Sequence, residues 1–230
     1  MKKLAFAKPS LAVLLLTLLS GGTAYAASNS TFSQVINTGA LATDIMDASQ
    51  VTVASPSVTM SAKNFAFTCQ AGGSASTGTF GANSERIYVS NPDGADNGWT
   101  LTVAATSGAT ARWANGGATQ HFDFNDPSGG TAGCTDGGDA DSNPGQLSLN
   151  PTAGTITTDC GSCGTTGVTK GSSSAFNQGT TDNITLLNAA NTSDDIWRGY
   201  LTGVTASQTI PAEQPADSYS LSLTLTATAQ

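Results

Sequence analysis

Gly98-Trp99-Thr100-Leu101-Thr102-Val103 is the stretch on which the fold turns. Trp99, Leu101 and Val103 fall at every second position, with threonines between them. Side chains of an extended chain alternate between two faces, so this pattern predicts a half-buried strand, apolar inside and hydroxylated outside. Tyr219-Ser220-Leu221-Ser222-Leu223-Thr224-Leu225-Thr226 keeps the same period and predicts another. Shorter pairs repeat it at Phe65 and Phe67, Ile87 and Val89, Phe122 and Phe124, Leu147 and Leu149, and Ile184 and Leu186. Helical spacing is almost absent. Turn signals such as Asn91-Pro92-Asp93-Gly94, Asn115-Gly116-Gly117 and Asn143-Pro144-Gly145 separate the strands. Many short strands with frequent turns imply an all-β fold, an antiparallel β-sandwich with long Gly/Ser/Thr-rich loops. The stretches 71–79 and 161–174 are expected to be such loops.

Composition narrows the function. Asp, Glu, Lys and Arg make up 10% of the 230 residues, against roughly 25% in ordinary soluble domains. A coiled coil is excluded, because it draws about half its residues from Ala, Glu, Lys, Leu and Arg. The formal charge of −8, with only 8 Lys plus Arg, argues against a nucleic-acid partner. So sparse a charge also lacks the self-repulsion that keeps disordered chains open.

Residues 1–26 read as a secretory signal peptide. Lys2, Lys3 and Lys8 form a basic start, Leu11 to Leu19 an apolar stretch, and Ala24-Tyr25-Ala26 a small-residue cleavage site. The apolar stretch is shorter than the roughly 20 residues of a spanning helix. Cleavage leaves residues 27–230, expected to be a single β-sandwich surface domain. Removing three lysines from the 8 Lys plus Arg leaves 5 basic residues against 16 acids, a charge of −11. No later apolar run is long enough to span a membrane, so a secreted or cell-surface location with non-covalent attachment is expected.

The chain offers little for catalysis. His121, the 1 histidine, sits in Gln120-His121-Phe122-Asp123-Phe124-Asn125-Asp126. Alternation there puts the phenylalanines on one face and His121, Asp123 and Asn125 on the other, so His121 reads as a surface or loop histidine. No G-x-S-x-G elbow offers it a nucleophile, and a lone histidine makes no zincin pair. Glycoside hydrolysis needs two flanking carboxyl groups. The only glutamates are Glu85 and Glu213, and the aspartates sit mostly in Gly- and Ser-rich turns, where backbone hydrogen bonding is their usual role. No cofactor is required by this reading.

One polar loop stands apart. Asp136, Asp139, Asp141 and Asn143 form a calcium candidate, because alternating oxygen-bearing residues in a flexible loop can wrap a hard cation. Asp139, Asp141 and Asn143 match the start of an EF-hand loop, but Pro144 and Asn150 occupy the positions of its glycine and bidentate glutamate. A solvated acidic turn is the competing reading. Cys69, Cys134, Cys160 and Cys163 are an even set in an exported chain and predict two disulfides, with three pairings open. Cys160-Gly161-Ser162-Cys163 has redox-motif spacing, but its flanks show no helix to lower a thiol pKa.

Trp99-Thr100-Leu101, with Asn37-Thr38-Gly39-Ala40-Leu41 early and Thr209-Ile210-Pro211-Ala212 followed by Tyr219 to Leu225 late, resembles the W-x-L surface domain of bacterial cell-wall proteins. The likeness spans most of residues 32–228. Leu223-Thr224-Leu225 stands where that family has its second tryptophan motif. The resemblance implies a non-catalytic β-sandwich held at the envelope, with Trp99 and Leu101 as motif residues. Its partners would be cell-wall polysaccharide or peptidoglycan, or other surface proteins. Trp99 itself reads as a core aromatic before it reads as a stacking platform. The chain also looks like fibre-forming subunits, which self-assemble by lending a strand to a neighbour. Ser28 to Asp47 is the donor candidate in that alternative. A secreted carbohydrate-active enzyme is the least favoured alternative.

Overall fold

The Trp99 stretch forms the strand the alternation predicts, with a burial pattern alternating from Trp99 through Ala105. A computed structural model describes residues 33–95, 97–127, 133–137 and 143–230. In chain order the strands are β1 (Ala42–Met46), β2 (Ser76–Phe80), β3 (Arg86–Asn91), β4 (Trp99–Ala105), β5 (Trp113–Asn115), β6 (His121–Phe122), β7 (Gln146–Asn150) and β8 (Thr155–Thr158). They continue with β9 (Val168–Lys170), β10 (Ser174–Ala175), β11 (Asn183–Ala189), β12 (Trp197–Thr202), β13 (Val204–Thr209), β14 (Tyr219–Ser220) and β15 (Leu223–Ala229). Among the described residues, helical structure is confined to 3-10 turns at Gly72–Ser74, Gly108–Thr110 and Pro151–Ala153.

Three four-stranded sheets run β1-β3-β12-β8, β10-β7-β13-β2 and β15-β4-β11-β9, and a three-stranded sheet runs β14-β5-β6. Every pairing is antiparallel. The fold is all-β and sandwich-like, as expected. One core joins the three larger sheets: Ile87, Val89 and Leu201 from the first, Leu147, Leu149 and Val204 from the second, Leu101, Val103 and Ile184 from the third. At its centre the Trp99 and Trp197 rings lie 5.1 Å apart, both fully buried. A bulge between Thr185 and Leu187 shifts the β11 register, and Leu186 and Leu187 are both buried. An inserted residue breaks the strict two-residue alternation, which is how adjacent side chains come to share the core.

Several expectations need correction. The stretch 71–79 is not all loop: Ser76–Phe80 is β2, paired with β13. Likewise 161–174 contains β9 and the start of β10. Phe65 and Phe67 form no strand; they are exposed and touch each other edge to face at 5.0 Å. The long C-terminal alternation breaks at Leu221-Ser222, so Tyr219–Ser220 pairs with β5 while Leu223–Ala229 pairs with β4. Ala42–Met46, within the segment expected to be donated to a neighbour, pairs with β3 of its own chain. Residues 38–230 form one compact unit, and Val35 and Ile36 before it are exposed.

Candidate functional site

After β1 the chain turns back, with the Asp47 carboxylate accepting the N–H groups of Ser49 and Val51. Val53 N–H then donates to Ile45 C=O at 2.9 Å, covering the end of the β1 edge. Further on, Ser61 clamps the chain beside β2. Its N–H donates to Thr77 C=O at 2.7 Å, its hydroxyl accepts Thr77 N–H at 2.9 Å, and its C=O accepts the Ser76 hydroxyl at 2.6 Å. Gly78 permits the approach, because a Cβ there would stand 2.7 Å from the Met60 sulfur. Residues 54–65 are thereby held as an extended arm, mostly exposed, with Val58 and Met60 half-buried.

Residues 214–219 form the facing wall. Tyr219 donates its hydroxyl to Pro215 C=O at 2.7 Å and accepts the Gln214 amide at 2.8 Å. Between the walls lies a cleft of about 400 Å³, lined by Phe65, Gln70, Trp113, Gln208, Gln214 and Tyr219 among others. An adjoining groove of about 600 Å³ shares Val58, Met60, Trp113 and Tyr219 with it and runs on past Phe80, Leu147, Leu149, Leu221 and Leu223. The cleft floor is an aromatic stack: Trp113 lies parallel to Phe122 at 6.0 Å, and Tyr219 meets Phe122 edge to face at 5.1 Å. Gln208, 2% exposed, fixes the floor by accepting the Trp113 indole N–H at 2.8 Å. Its amide nitrogen donates to the carbonyls of Asp123 at 3.1 Å and Thr209 at 2.8 Å.

The carboxylates around these cavities are occupied. Asp217 accepts the Asn115 amide at 2.8 Å and the Ser218 N–H at 2.7 Å, and these bonds hold its pKa below the usual carboxylate value. In the groove, Asp44 accepts the Thr52 hydroxyl at 2.6 Å and the Ile45 N–H at 2.8 Å. Glu85 receives the Ser57 N–H on both oxygens, at 3.2 and 3.3 Å. Elsewhere, burial first, then the Asp159 carboxylate that accepts its hydroxyl at 3.0 Å, pushes the Tyr88 pKa up to about 12.

Trp99 and Leu101 are core residues, 0% exposed, and line neither cavity. His121 is half-buried, and its C=O accepts the Gln214 amide at 3.4 Å. Asp123 and Asn125, expected on an outer face, are buried at 4% and 2%. Other segments of the chain close on them: Asn143 C=O accepts Asp123 N–H at 3.1 Å, and the Asn125 amide donates to Ala109 C=O at 2.8 Å. Asp136 and Asn143 of the calcium candidate are half-buried, while Asp139 and Asp141 lie outside the described residues. Among the described residues no group of three or more His, Cys, Asp and Glu side chains is placed to hold a metal.

Both disulfides are present, and the open pairing is resolved as Cys69–Cys134 and Cys160–Cys163. Stable disulfides belong to an oxidising environment. No helix among the described residues is long and apolar enough to cross a membrane. The aromatic lining of the cleft escaped the sequence reading, because Trp113, Phe65 and Tyr219 come from three distant segments. Nothing among known family models, curated proteins or solved structures matches the chain.

Proposed function

We propose that this chain is a non-catalytic, secreted cell-surface protein that binds a cell-wall polysaccharide in the cleft between residues 58–65 and 214–219. The observation that carries the reading is the lining, in which the rings of Phe65, Trp113 and Tyr219 stand with the amides of Gln70 and Gln214 over a floor that buried Gln208 fixes. A sugar ring presents C–H faces and a rim of hydroxyls. Aromatic rings take the faces, and amides, which both donate and accept, take the rim. The apolar continuation along Met60, Phe80 and Leu223 gives a chain-like ligand room beyond one ring. The signal-like residues 1–26, the two disulfides and the W-x-L likeness all support work at an envelope.

The non-catalytic part rests on the acids. A glycosidase holds one carboxyl protonated by raising its pKa. Asp217 is shifted the other way, and Asp44 and Glu85 are tied to backbone and hydroxyl donors. Retention of purified protein on washed cell walls and isolated wall polysaccharide tests the reading. Phe65→Ala removes a half-exposed ring whose described ring contact is Phe67. Losing one stacking contact of about 1.4 kcal/mol weakens binding about tenfold, with the melting temperature unchanged. Wild-type protein that washes off every wall preparation, or Phe65→Ala protein retained as well as wild type, refutes it.

A further inference from the structure

The outer edge of β15 has a defined set of free backbone groups. Thr106 N–H donates to Ser222 C=O at 2.9 Å, and Gln230 N–H donates to Gly98 C=O at 3.1 Å, which fixes the phase of the ladder between them. Thr224, Thr226 and Thr228, opposite Ala104, Thr102 and Thr100, therefore turn their N–H and C=O groups into β4. Leu223, Leu225, Ala227 and Ala229 turn theirs outward. Among the described residues β15 closes one side of its sheet and pairs with β4 alone.

Other sheet edges among the described residues are short or covered. Val53 bonds to the β1 edge and Ser61 to the β2 edge. Strands β6, β8, β9 and β10 run two to four residues, against seven in β15. Natural edges are otherwise guarded by lysine, proline, bulges or inward charges. Leu223-Thr224-Leu225-Thr226-Ala227-Thr228-Ala229 has none of the charges or prolines, and its register with β4 runs unbroken.

We propose that this edge is a self-association surface, on which a second copy of the chain adds its own β15 antiparallel about a two-fold axis through Thr226. The sequence of the strand selects this occupant. Its inner face reads Leu, Leu, Ala, Ala from Leu223 to Ala229, so an antiparallel copy sets Leu223 against the partner's Ala229 and Leu225 against the partner's Ala227. Large side chains meet small ones at every step. All four of those residues carry outward N–H and C=O groups, so this register satisfies every one of them, whereas a shift by one residue leaves groups facing the wrong way. Thr226 meets its own copy in a non-hydrogen-bonded position, where β-branched hydroxyl pairs are favourable. Leu223, Leu225 and Ala227 are half-buried in the single chain, and the added strand covers their open flank. Beside the first half of β15 runs the groove that Ile45 and Leu225 line, with β1 as its other wall. Two four-stranded sheets become one of eight. The edge is uncharged while each chain is strongly acidic, so repulsion between copies is long-range and added salt strengthens the pairing.

Sedimentation of the purified protein over a concentration range tests the proposal, together with four single variants. Wild type is expected to dimerise, more tightly at higher salt. Thr226→Lys sets two cations against each other, and Ala227→Pro removes an outward N–H that β4 does not use. Each is expected to give monomers that melt where the wild type melts once diluted to its monomer. All four native cysteines are in disulfides, so an added thiol reports contact. Thr226→Cys is expected to cross-link to its copy, since facing residues in that position lie about 4.5 Å apart at Cα. Thr224→Cys is not, because its copy lies about four residues along the strand, roughly 13 Å away. A wild type that stays monomeric throughout, dimers untouched by Thr226→Lys and Ala227→Pro, or equal cross-linking at both cysteines overturns the proposal.

Discussion

The two disulfides close loops of very different length, and their removal separates entropy from local packing. Cys69 and Cys134 are 65 residues apart, Cys160 and Cys163 only 3. In the chain-entropy account, the cross-link removes about 2.1 + 1.5R ln n cal/mol/K from the unfolded ensemble. The long loop then gives about 14.5 cal/mol/K, or about 4 kcal/mol at room temperature, and the short one about 1.6 kcal/mol. For a domain of this size the corresponding falls in melting temperature are about 12 °C and about 5 °C. The long bridge also ties the arm to the chain beside it, where Gln70 and Ile210 exchange backbone hydrogen bonds of 2.9 and 3.1 Å. Urea unfolding of the Cys69→Ala/Cys134→Ala and Cys160→Ala/Cys163→Ala variants measures both. The first is expected to lose more than twice what the second loses, with a larger urea slope because its unfolded chain is less compact. Equal losses, or a larger loss from the short loop, would refute the entropic reasoning and put the stabilisation in local contacts, such as the indole of Trp197 bonded to Gly164 C=O at 2.9 Å.

Three further outcomes follow from the core and its buried polar groups. Gly98 has φ +72°, and a Cβ there would run into Ala189 C=O, so Gly98→Ala should cost about 3 kcal/mol from strain and overpacking combined, read by thermal unfolding. Gln208→Leu keeps the volume but orphans the Trp113 indole N–H and the Asp123 carbonyl, so it should cost about 2 to 4 kcal/mol and weaken polysaccharide retention. Tyr88 is raised from 10.0 to about 12, so its neutral form is favoured by folding. That stability is fully present below pH 10 and is lost as pH rises towards 12; ultraviolet titration should show one tyrosine ionising late in the folded protein, and Asp159→Asn should bring it earlier.

Strands that bury apolar side chains were legible in the sequence, and strands that bury backbone were not. Trp99 to Val103, Leu147 to Leu149 and Ile184 to Leu186 announced themselves because the core takes every second residue. β2 did not, since Ser76-Thr77-Gly78-Thr79-Phe80 is built for close approach: Gly78 admits Met60, and Ser76 is buried through its bond to Ser61. Small polar residues carry that role with no periodic signal. The reverse error came at Phe65 and Phe67, whose spacing imitates a strand although both rings are exposed. Of His121 to Asp126 only His121–Phe122 is strand; Asp123 to Asp126 leave the alternation and are buried, with Asn143, Ala109 and Gly137 bonded to them. Long-range coverage of this kind is invisible to any local window. The cleft shares that limit, its walls meeting only after residues far apart in the chain have folded together.

The pairing of β15 with β4 joins Trp99 to Ala229 across most of the described chain. The central tryptophan strand therefore lacks one neighbour until the C-terminal strand has emerged from synthesis, and contacts of such separation form slowly. The sheet around Trp99 is thus completed late, by a contact that no local segment can form on its own.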